Sequence, residues 1–291
     1  MSKVALTRGD SRRKNIFESL KLIEKEIREK IEGKKVLIKP NFTSSSIQKA
    51  ATHIEQIRGI LDFLSEVYEG KITIGEGSGE NTFEGFSNFG YFKLEDEYQL
   101  PIEFIDLNKD DFEMISISKS VSVRVSKTIL DPSFFVISAA KLKTHDLVVT
   151  TLSIKNLVMG MVLLRDKEKV HQGIKEMNHN LFLLAKKRMP DLGSIDGFYG
   201  MEGEGPTGGN MLRCTVAIAS TDSLASDRVG LEIMGIDPED VGYLVYCGRR
   251  DLGEYNLGKI SIVGTELEDC RSEKKFRLHS TITRQLLWKV G

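Results

Sequence analysis

The chain contains the run Phe134-Phe135-Val136-Ile137-Ser138, a continuous apolar stretch typical of a strand that is covered on both faces. A second run, Val36-Leu37-Ile38-Lys39, stops at Pro40, because proline removes a ladder donor and ends a strand. Helical periodicity precedes and follows this second run, from about Ser11 to Ile31 and around His53 to Tyr68. Strands and helices that alternate in this way predict a doubly wound α/β fold.

We therefore expect a three-layer, Rossmann-like α/β fold, in which a mostly parallel twisted sheet carries helices on both faces. Residues 91–130 contain short β candidates, which predict either a small β insertion or an edge of the sheet. We expect one α/β domain over residues 1–265 and a C-terminal extension over 266–291. Further elements are predicted along the domain: strands at 71–74, 215–219 and 259–263, and helices at 180–188 and 222–234.

The composition belongs to an ordinary globular protein, with a formal net charge of -1 over 291 residues. This charge gives no global attraction to nucleic acid or to a membrane surface, so neither is expected as a partner. The three cysteines form no C-x-x-C pair, so no intrinsic iron–sulfur cluster and no disulfide framework is expected. No apolar stretch has the length of a signal peptide core or a membrane span, and the expected location is cytoplasmic.

Polar residues follow several of the predicted strands. In an open α/β sheet, ligands bind in the crevice outside the carboxyl ends of the strands. Four polar segments are expected at that edge: Lys39-Pro40-Asn41, Glu76-Gly77-Ser78-Gly79, Lys141 to His145, and Asp196 to Pro206. We predict that they form one anion-binding pocket with the ligand-binding residues Lys39, Asn41, Glu76, Gly77, Ser78, Gly79, Lys141, Thr144, Lys155 and Asn156.

Each of these segments also has a simpler interpretation. Lys39 could be an ordinary solvated lysine at a strand end, and the glycines after Glu76 could form a tight turn instead of an anion cradle. Lys155 could extend its charged end to solvent over an apolar stem. The histidines His171 and His179 show no metal-binding spacing and are each interpreted as surface residues.

Lys141, Lys143 and His145 alternate along the chain, so they share one face if the central strand continues through them. Such a row gathers positive charge and places a histidine where it can transfer protons near neutral pH. We predict Lys143 and His145 as catalytic residues. The alternative is a solvated sheet edge with a structural histidine.

Carboxylates are dense in the segment from Asp196 to Pro206, where glycines separate Glu202 and Glu204. Carboxylates beside cationic strand ends can act as acid and base, bind a divalent cation, or pair with the lysines. We predict Glu202 and Glu204 as catalytic and Asp196, Glu202 and Asp222 as ligands of a divalent metal ion. Asp222 also has the simpler interpretation of a helix N-cap.

Six collinear motifs of the chain resemble the domain of unknown function 362 family. They are Val36 to Asn41, Gly75 to Gly79, Lys141 to His145, the later Ile154 to Leu157, Asp196-Gly197 with Met201 to Pro206, and Asp222 with Asp227 and Gly235. The family has no general assigned reaction. Many members of the family that this chain resembles carry a ferredoxin-like module with cysteine-ligated iron–sulfur clusters. This chain lacks such cysteines, which leaves a separate ferredoxin-like partner as the expectation for any electron transfer.

The leading hypothesis is an enzyme that acts on a small anionic molecule, a carboxylate or a phosphate, by acid/base chemistry, with or without a divalent metal ion. One alternative is a redox or maturation protein that uses an external iron–sulfur partner or cofactor. Another is a non-catalytic protein that binds a small ligand. The sequence leaves open whether the chain is an enzyme at all. It also leaves the oligomeric state open, and a homodimer is the assembly we expect.

Overall fold

The computed structural model describes residues 1–118, 120–272 and 274–290. Within them one large twisted sheet has the strand order β11-β1-β10-β9-β7-β2-β3-β4, and β8 pairs with β7 outside this path. The strands are β1 Ser2–Arg8, β2 Lys35–Lys39, β3 Ile72–Glu76, β4 Ile102–Asp106, β5 Phe112–Ser116, β6 Ser122–Ser126, β7 Phe134–His145, β8 Val149–Thr151, β9 Leu192–Glu202, β10 Asn210–Ser220 and β11 Ile260–Gly264.

The sheet is mostly parallel. Strands β2, β3, β4, β7 and β9 run in one direction as neighbours, and β1 pairs in parallel with β11. Strand β10 is antiparallel to both β1 and β9, and β8 folds back antiparallel on β7. The predicted α/β fold with a mostly parallel sheet is therefore confirmed.

Helices cover both faces of the sheet. They are α1 Arg12–Lys21, α2 Glu24–Ile31, α3 Ile54–Val67, α4 Thr82–Asn88, α5 Leu94–Glu97, α6 Lys127–Leu130, α7 Ser153–Gly160, α8 Lys167–Val170, α9 Ile174–Ala185, α10 Ser223–Met234, α11 Gly242–Gly248, α12 Leu267–Cys270 and α13 Ile282–Gln285. Val36 and Ile38 pack with α1 and α3 in one core, whereas Leu37 between them packs with α7 and α10 in the other. This alternation is the two-residue period of a strand that is buried on both faces.

Some predicted elements differ from the structure. The helix expected from Ser11 to Ile31 is two helices, α1 and α2, because Ile23 leaves the helical region with φ -122° and ψ 24°. The segment of Asp196 was expected as a loop at a strand end but lies inside β9, which continues to Glu202. Residues 91–130 provide both expected structures, since β4 is an edge of the large sheet and β5 with β6 forms a separate hairpin.

The C-terminal segment, residues 266–290 without 273, packs against the α/β body. Phe276, Gln285 and Trp288 are buried in it. In the part of the chain that the structure describes, no helix combines the length and the apolar character needed to cross a membrane.

Candidate functional site

Lys39 and Glu76 form a buried ion pair at the carboxyl ends of the neighbouring strands β2 and β3. The Lys39 Nζ lies 2.6 Å from Glu76 Oε2 and also donates to Asn156 Oδ1 at 2.9 Å. The Lys39 side chain is only 1% exposed. Burial lowers the pKa of Lys39, and the charge of Glu76 opposes that shift. The ammonium of Lys39 is therefore directed at the carboxylate of Glu76.

Lys143 lies deeper and contacts neutral groups. Its Nζ donates to Asn41 Oδ1 at 3.0 Å, to Thr43 Oγ1 at 2.7 Å and to the Ala50 carbonyl oxygen at 3.1 Å. Burial, followed by repulsion from Lys155 and Lys141, holds the pKa of Lys143 well below its ordinary value. Asn41, which the sequence marked as a ligand-binding residue, thus positions a lysine.

His145 and Lys155 form a buried pair. The Lys155 Nζ lies 3.0 Å from His145 Nε2, and the other ring nitrogen, Nδ1, lies 3.1 Å from the Leu147 amide nitrogen and 3.0 Å from Asp146 Oδ1. Burial lowers the pKa of Lys155 to about 8, with Asp146 opposing the shift. Burial, with repulsion from Lys155 next, holds the pKa of His145 well below its usual range.

The geometry of this pair allows two distributions of its protons. With a proton on Nδ1, the ring of His145 donates to Asp146 and accepts at Nε2 from the ammonium of Lys155. With the proton on Nε2, the ring accepts the Leu147 N–H and donates to a neutral Lys155 amine. Two arrangements on one set of contacts are what a group that takes up and releases protons requires.

A cavity of about 300 Å³ is lined in part by Lys39, Glu76, His145, Lys155 and Lys167, whereas Lys143 is not part of this lining. Burial lowers the pKa of Lys167 to about 8, and this lysine donates to the Gly77 carbonyl oxygen. The cavity is therefore rich in cationic groups, against which Glu76 and Asp146 supply the negative charge of its lining.

Several residues of the cavity wall were not predicted from the sequence, among them Thr151, Lys167 and His171. Lys167 lines the cavity, and His171 is exposed, as predicted, but also forms part of the cavity lining. Thr151 also lines it, and the buried Thr151 hydroxyl has no hydrogen-bond partner among the described residues. Lys167 and His171 are four residues apart at helix α8, so they share one face, but only the fold shows that this face turns to the cavity.

Helix α7 carries Lys155 and Asn156, and another helix caps it. Its N-cap residue Leu152 has no side-chain hydrogen bond to offer. Instead the two carboxylate oxygens of Asp227, on α10, accept the N–H groups of Ser153 at 2.8 Å and Ile154 at 3.0 Å. Burial raises the pKa of Asp227 to about 7 against the effect of these backbone hydrogen bonds.

The glycine segment after β3 packs closely against the end of α7. A β-carbon at Gly77 would come within 2.5 Å of the Gly160 carbonyl oxygen, so glycine lets the loop approach the end of α7. The Ser78 hydroxyl donates to the Phe42 carbonyl oxygen. Gly77 and Gly79 still line the cavity, whereas Ser78 acts within the loop.

Lys141 and Asp196 belong to a separate cluster on the inner face of α1. Asp196 Oδ2 lies 3.0 Å from Arg12 Nε and 3.7 Å from the Lys141 Nζ. The guanidinium of Arg12 also lies over the ring of Phe198, 5.1 Å from its centroid. Burial lowers the pKa of Lys141, and the charge of Asp196 opposes that shift. The structure thus pairs Lys141 with Asp196 and separates both from the lining of the cavity.

The end of β9 and the loop that follows it lie beside the lysine row, but the carboxylates of Glu202 and Glu204 turn away from His145. The Thr144 hydroxyl donates to the Gly203 carbonyl oxygen at 2.9 Å, which joins the two segments. Glu202 accepts the Arg277 N–H, and Glu204 accepts from Ser280. The two predicted catalytic carboxylates therefore contact the C-terminal segment instead of His145.

The residues predicted as metal ligands do not meet. Asp222 is the N-cap of α10, where its side chain accepts the N–H groups of Leu224 and Ala225. It lies beside Ser2, at the opposite end of the paired strands β9 and β10 from Glu202. Among residues 1–118, 120–272 and 274–290, no three His, Cys, Asp or Glu side chains are grouped so that they could hold a metal ion.

Comparisons with known proteins place the chain among relatives. The sequence profile of a family described as a domain of unknown function (DUF362) matches residues 36–232. The chain is 29% identical over 216 residues to a thylakoid-associated protein of Synechocystis, an alignment that covers 72% of this chain and 65% of that protein. It thus spans less than two thirds of that relative.

Two solved structures align with part of the backbone of this chain. The lactate racemase apoprotein of Thermoanaerobacterium thermosaccharolyticum aligns with a TM-score of 0.49 and 14% identity over 80% of this chain and 57% of its own. A protein of Thermotoga maritima aligns with a TM-score of 0.39 and 13% identity over 74% of this chain and 57% of its own. Neither likeness bears on the chemistry of this chain.

Proposed function

Since the chain belongs to the DUF362 family, and the matched region includes the lysine-rich cavity, we propose that it is an enzyme that acts on a small anionic molecule by acid/base chemistry. The substrate class is a carboxylate or a phosphate. Lys39, Lys155 and Lys167 supply the positive charge, and His145 with Lys155 moves the proton.

The observation that carries this proposal is the excess of buried cationic side chains over carboxylates. Lys39 and Lys155, which line the cavity, are 1% and 6% exposed, and lysine is rarely buried unless it is paired. Lys39 is paired with Glu76, whereas Lys155 contacts the imidazole of His145 and no carboxylate within ion-pair distance among the described residues. A charge buried without a counter-charge is costly, so a bound anion stabilises the protonated form of these lysines.

The acid/base part of the proposal rests on the contact between Lys155 and His145. A lysine whose pKa is about 8 holds both protonation states near neutral pH, which is the condition for efficient proton transfer. The imidazole of His145, 3.0 Å away, is placed to exchange a proton with it. The unpartnered Thr151 hydroxyl offers a hydrogen bond to the bound molecule.

Binding is tested with sulfate, phosphate and a set of small carboxylates by calorimetry and thermal shift. We expect Lys155→Met to weaken the binding of sulfate by about tenfold or more, because one charge-assisted hydrogen bond is removed. Lys71→Met is the matched control, since this lysine is 57% exposed and far along β3 from the cavity. Equal affinity of Lys155→Met and wild type would count against the anion site.

Catalysis is tested separately from binding by His145→Gln. For an enzyme, we expect this variant to keep the affinity for a converted anion and to lose turnover by at least about a hundredfold. A wild-type protein that binds anions but converts none in a screen would instead fit the non-catalytic alternative. Elemental analysis of the purified protein addresses the divalent metal and iron expectations, and cell fractionation addresses the cytoplasmic location.

A further inference from the structure

The turn from β7 to β8 carries His145 and contains a backbone conformation that its sequence does not favour. Val149 has a φ of 67°, in the left-handed region that a β-branched residue rarely adopts. This valine is buried at 2% exposure. Such a conformation persists only when the surrounding structure holds it, so the contacts of this turn identify what fixes the position of His145.

Gln285, at the end of α13, makes those contacts from the C-terminal segment. Its side-chain oxygen accepts the Val149 N–H, and its side-chain nitrogen donates to the His145 carbonyl oxygen at 2.9 Å. The same nitrogen donates to the Thr281 hydroxyl, which in turn donates to the Asp146 carbonyl oxygen at 2.7 Å. One fully buried amide therefore binds both ends of the turn.

The held turn also sets the orientation of the imidazole. His145 Nδ1 lies 3.1 Å from the Leu147 amide nitrogen, two residues along the same turn. The opposite ring nitrogen is thereby directed at Lys155. If the turn relaxed, the Leu147 contact and the contact with Lys155 would be lost together.

We propose that Gln285 is a positioning residue of the site, which holds the turn from His145 to Val149 and thereby keeps the imidazole of His145 against Lys155. Gln285 lies outside residues 36–232, so the family match does not assign it a role. The C-terminal segment is then part of the functional site. This inference rests on the proposed function in that it assumes His145 and Lys155 are the working pair.

The test compares Gln285→Met with Thr283→Ala in the full chain. Methionine keeps the approximate volume of glutamine but removes both hydrogen-bonding groups, whereas Thr283 is an exposed residue on the same helix. The pH titration of His145 is followed by NMR, with its signal assigned by loss in His145→Gln. A residue that served only general stability would not move this titration.

In Gln285→Met we expect the pKa of His145 to rise toward its ordinary value, because the ring gains solvent and leaves the lysine. Sulfate affinity is expected to fall about threefold to tenfold, the loss typical of one or two hydrogen bonds. Thr283→Ala is expected to leave both properties unchanged. An unchanged His145 titration in folded Gln285→Met overturns the proposal.

A second variant covers failure of the first to fold. Thr281→Val removes the hydroxyl that links Gln285 to Asp146 but keeps the shape of the side chain. We expect a smaller change of the His145 titration in the same direction, and no change would overturn the proposal. If the wild type binds none of the tested anions, the proposed function fails, while the titration still decides the role of Gln285.

Discussion

At the residue level, the low pKa of Lys155 predicts a pH-dependent affinity for anions. Below about pH 8 both Lys155 and Lys167 carry a proton and attract an anion, and as the pH rises through this value they lose their charge. We expect sulfate affinity to fall by up to about tenfold per pH unit above pH 8 for each lysine that must be protonated. Calorimetry between pH 7 and 9.5 measures it.

Proton uptake accompanies binding in the same range, so the measured heat depends on the ionisation enthalpy of the buffer. Lys155→Met is expected to reduce both the slope and the proton uptake. A sulfate affinity that stays flat from pH 7 to pH 9.5 would contradict the role of these lysines. Sulfate is the suitable probe because it does not titrate in this range.

Because Lys39 and Glu76 form a buried ion pair, we expect the loss of the Glu76 charge to lower the stability of the protein strongly. Glu76→Gln leaves the ammonium of Lys39 without its counter-charge, and we expect a loss of about 3–5 kcal/mol in the free energy of unfolding. The double variant Lys39→Met with Glu76→Gln is expected to recover part of it. Urea denaturation gives these values.

The exposed pair of Lys71 and Glu103 provides the control for that experiment. Their side chains are 57% and 46% exposed, and an exposed pair contributes at most about 1 kcal/mol. Glu103→Gln is therefore expected to change stability little. If Glu76→Gln and Glu103→Gln lowered the free energy of unfolding equally, burial would not make the Lys39 pair more important for stability than an exposed pair.

The polar residues of the site were partly predictable one by one. Lys39, Lys143 and Lys155 follow or continue apolar elements, so the sequence pattern could place them at one edge of a sheet. The direction of a side chain in a glycine-rich segment is not encoded in its spacing, and Glu202, at the end of β9, contacts the C-terminal segment. Gln285 carries no local signal, because its partners lie about 140 residues earlier in the chain.

At the level of single elements, the C-terminal end of α7 requires a glycine. Gly160 closes this helix beside Lys39, and a β-carbon there would overlap the Lys39 Cε and Nζ. We expect Gly160→Ala to displace this ammonium from Glu76 and to destabilise the protein by about 1–3 kcal/mol. Thermal and urea unfolding measure the change.

Gly230, inside α10, is the matched glycine. A β-carbon at Gly230 would lie 3.4 Å from the side chains of Leu142 and Leu152, which is ordinary contact. Gly230→Ala is expected to stabilise the protein by about 0.5–1 kcal/mol, because alanine has the higher helix propensity. A loss at Gly230 as large as that at Gly160 would refute the specific role of the Lys39 contact.

The cap of α7 by Asp227 predicts a slope of stability with pH. Its pKa in the folded state is raised to about 7 from an ordinary value near 3.8, so the folded protein holds this proton more tightly than the unfolded chain. The contribution of this group to stability is therefore present below about pH 4 and is lost as the pH rises to about 7. Asp227→Asn is expected to remove that slope.

The control for Asp227 is Asp222→Asn, which changes the N-cap of the same helix, α10, at a partly exposed position. Urea unfolding at several pH values from 4 to 8 compares the variants with the wild type. A wild-type slope that survives in Asp227→Asn would assign the pH dependence to other groups.

At the level of the whole molecule, the C-terminal segment and the sheet are expected to unfold together. Trp288 is the single tryptophan of the chain, and it is buried in this segment. The segment shares the core with the body through Leu267, Cys270 and Phe276. We expect the transitions of tryptophan fluorescence and far-ultraviolet circular dichroism in urea to coincide, as in two-state unfolding. An earlier fluorescence transition would mean that the segment detaches by itself.

The fold could be predicted from the sequence more completely than the role of the C-terminal segment. Continuous apolar runs such as Phe134 to Ser138 specify central strands through burial on both faces, which is a local property of the chain. The predicted division at residue 265 rested on weak periodicity after that point. Packing of the later residues on the body depends on contacts distant in sequence, for which no periodic pattern exists.

Strand β7, which carries Lys143 and His145, lies between β2 and β9 in the interior of the sheet. Central strands are the last parts of a protein to open, so the cationic groups on it are already fixed before any ligand arrives. Recognition would then involve little ordering of the chain, and the entropic cost of binding would be small. A larger or differently shaped anion would meet a wall that cannot adapt, and selectivity would follow from this rigidity.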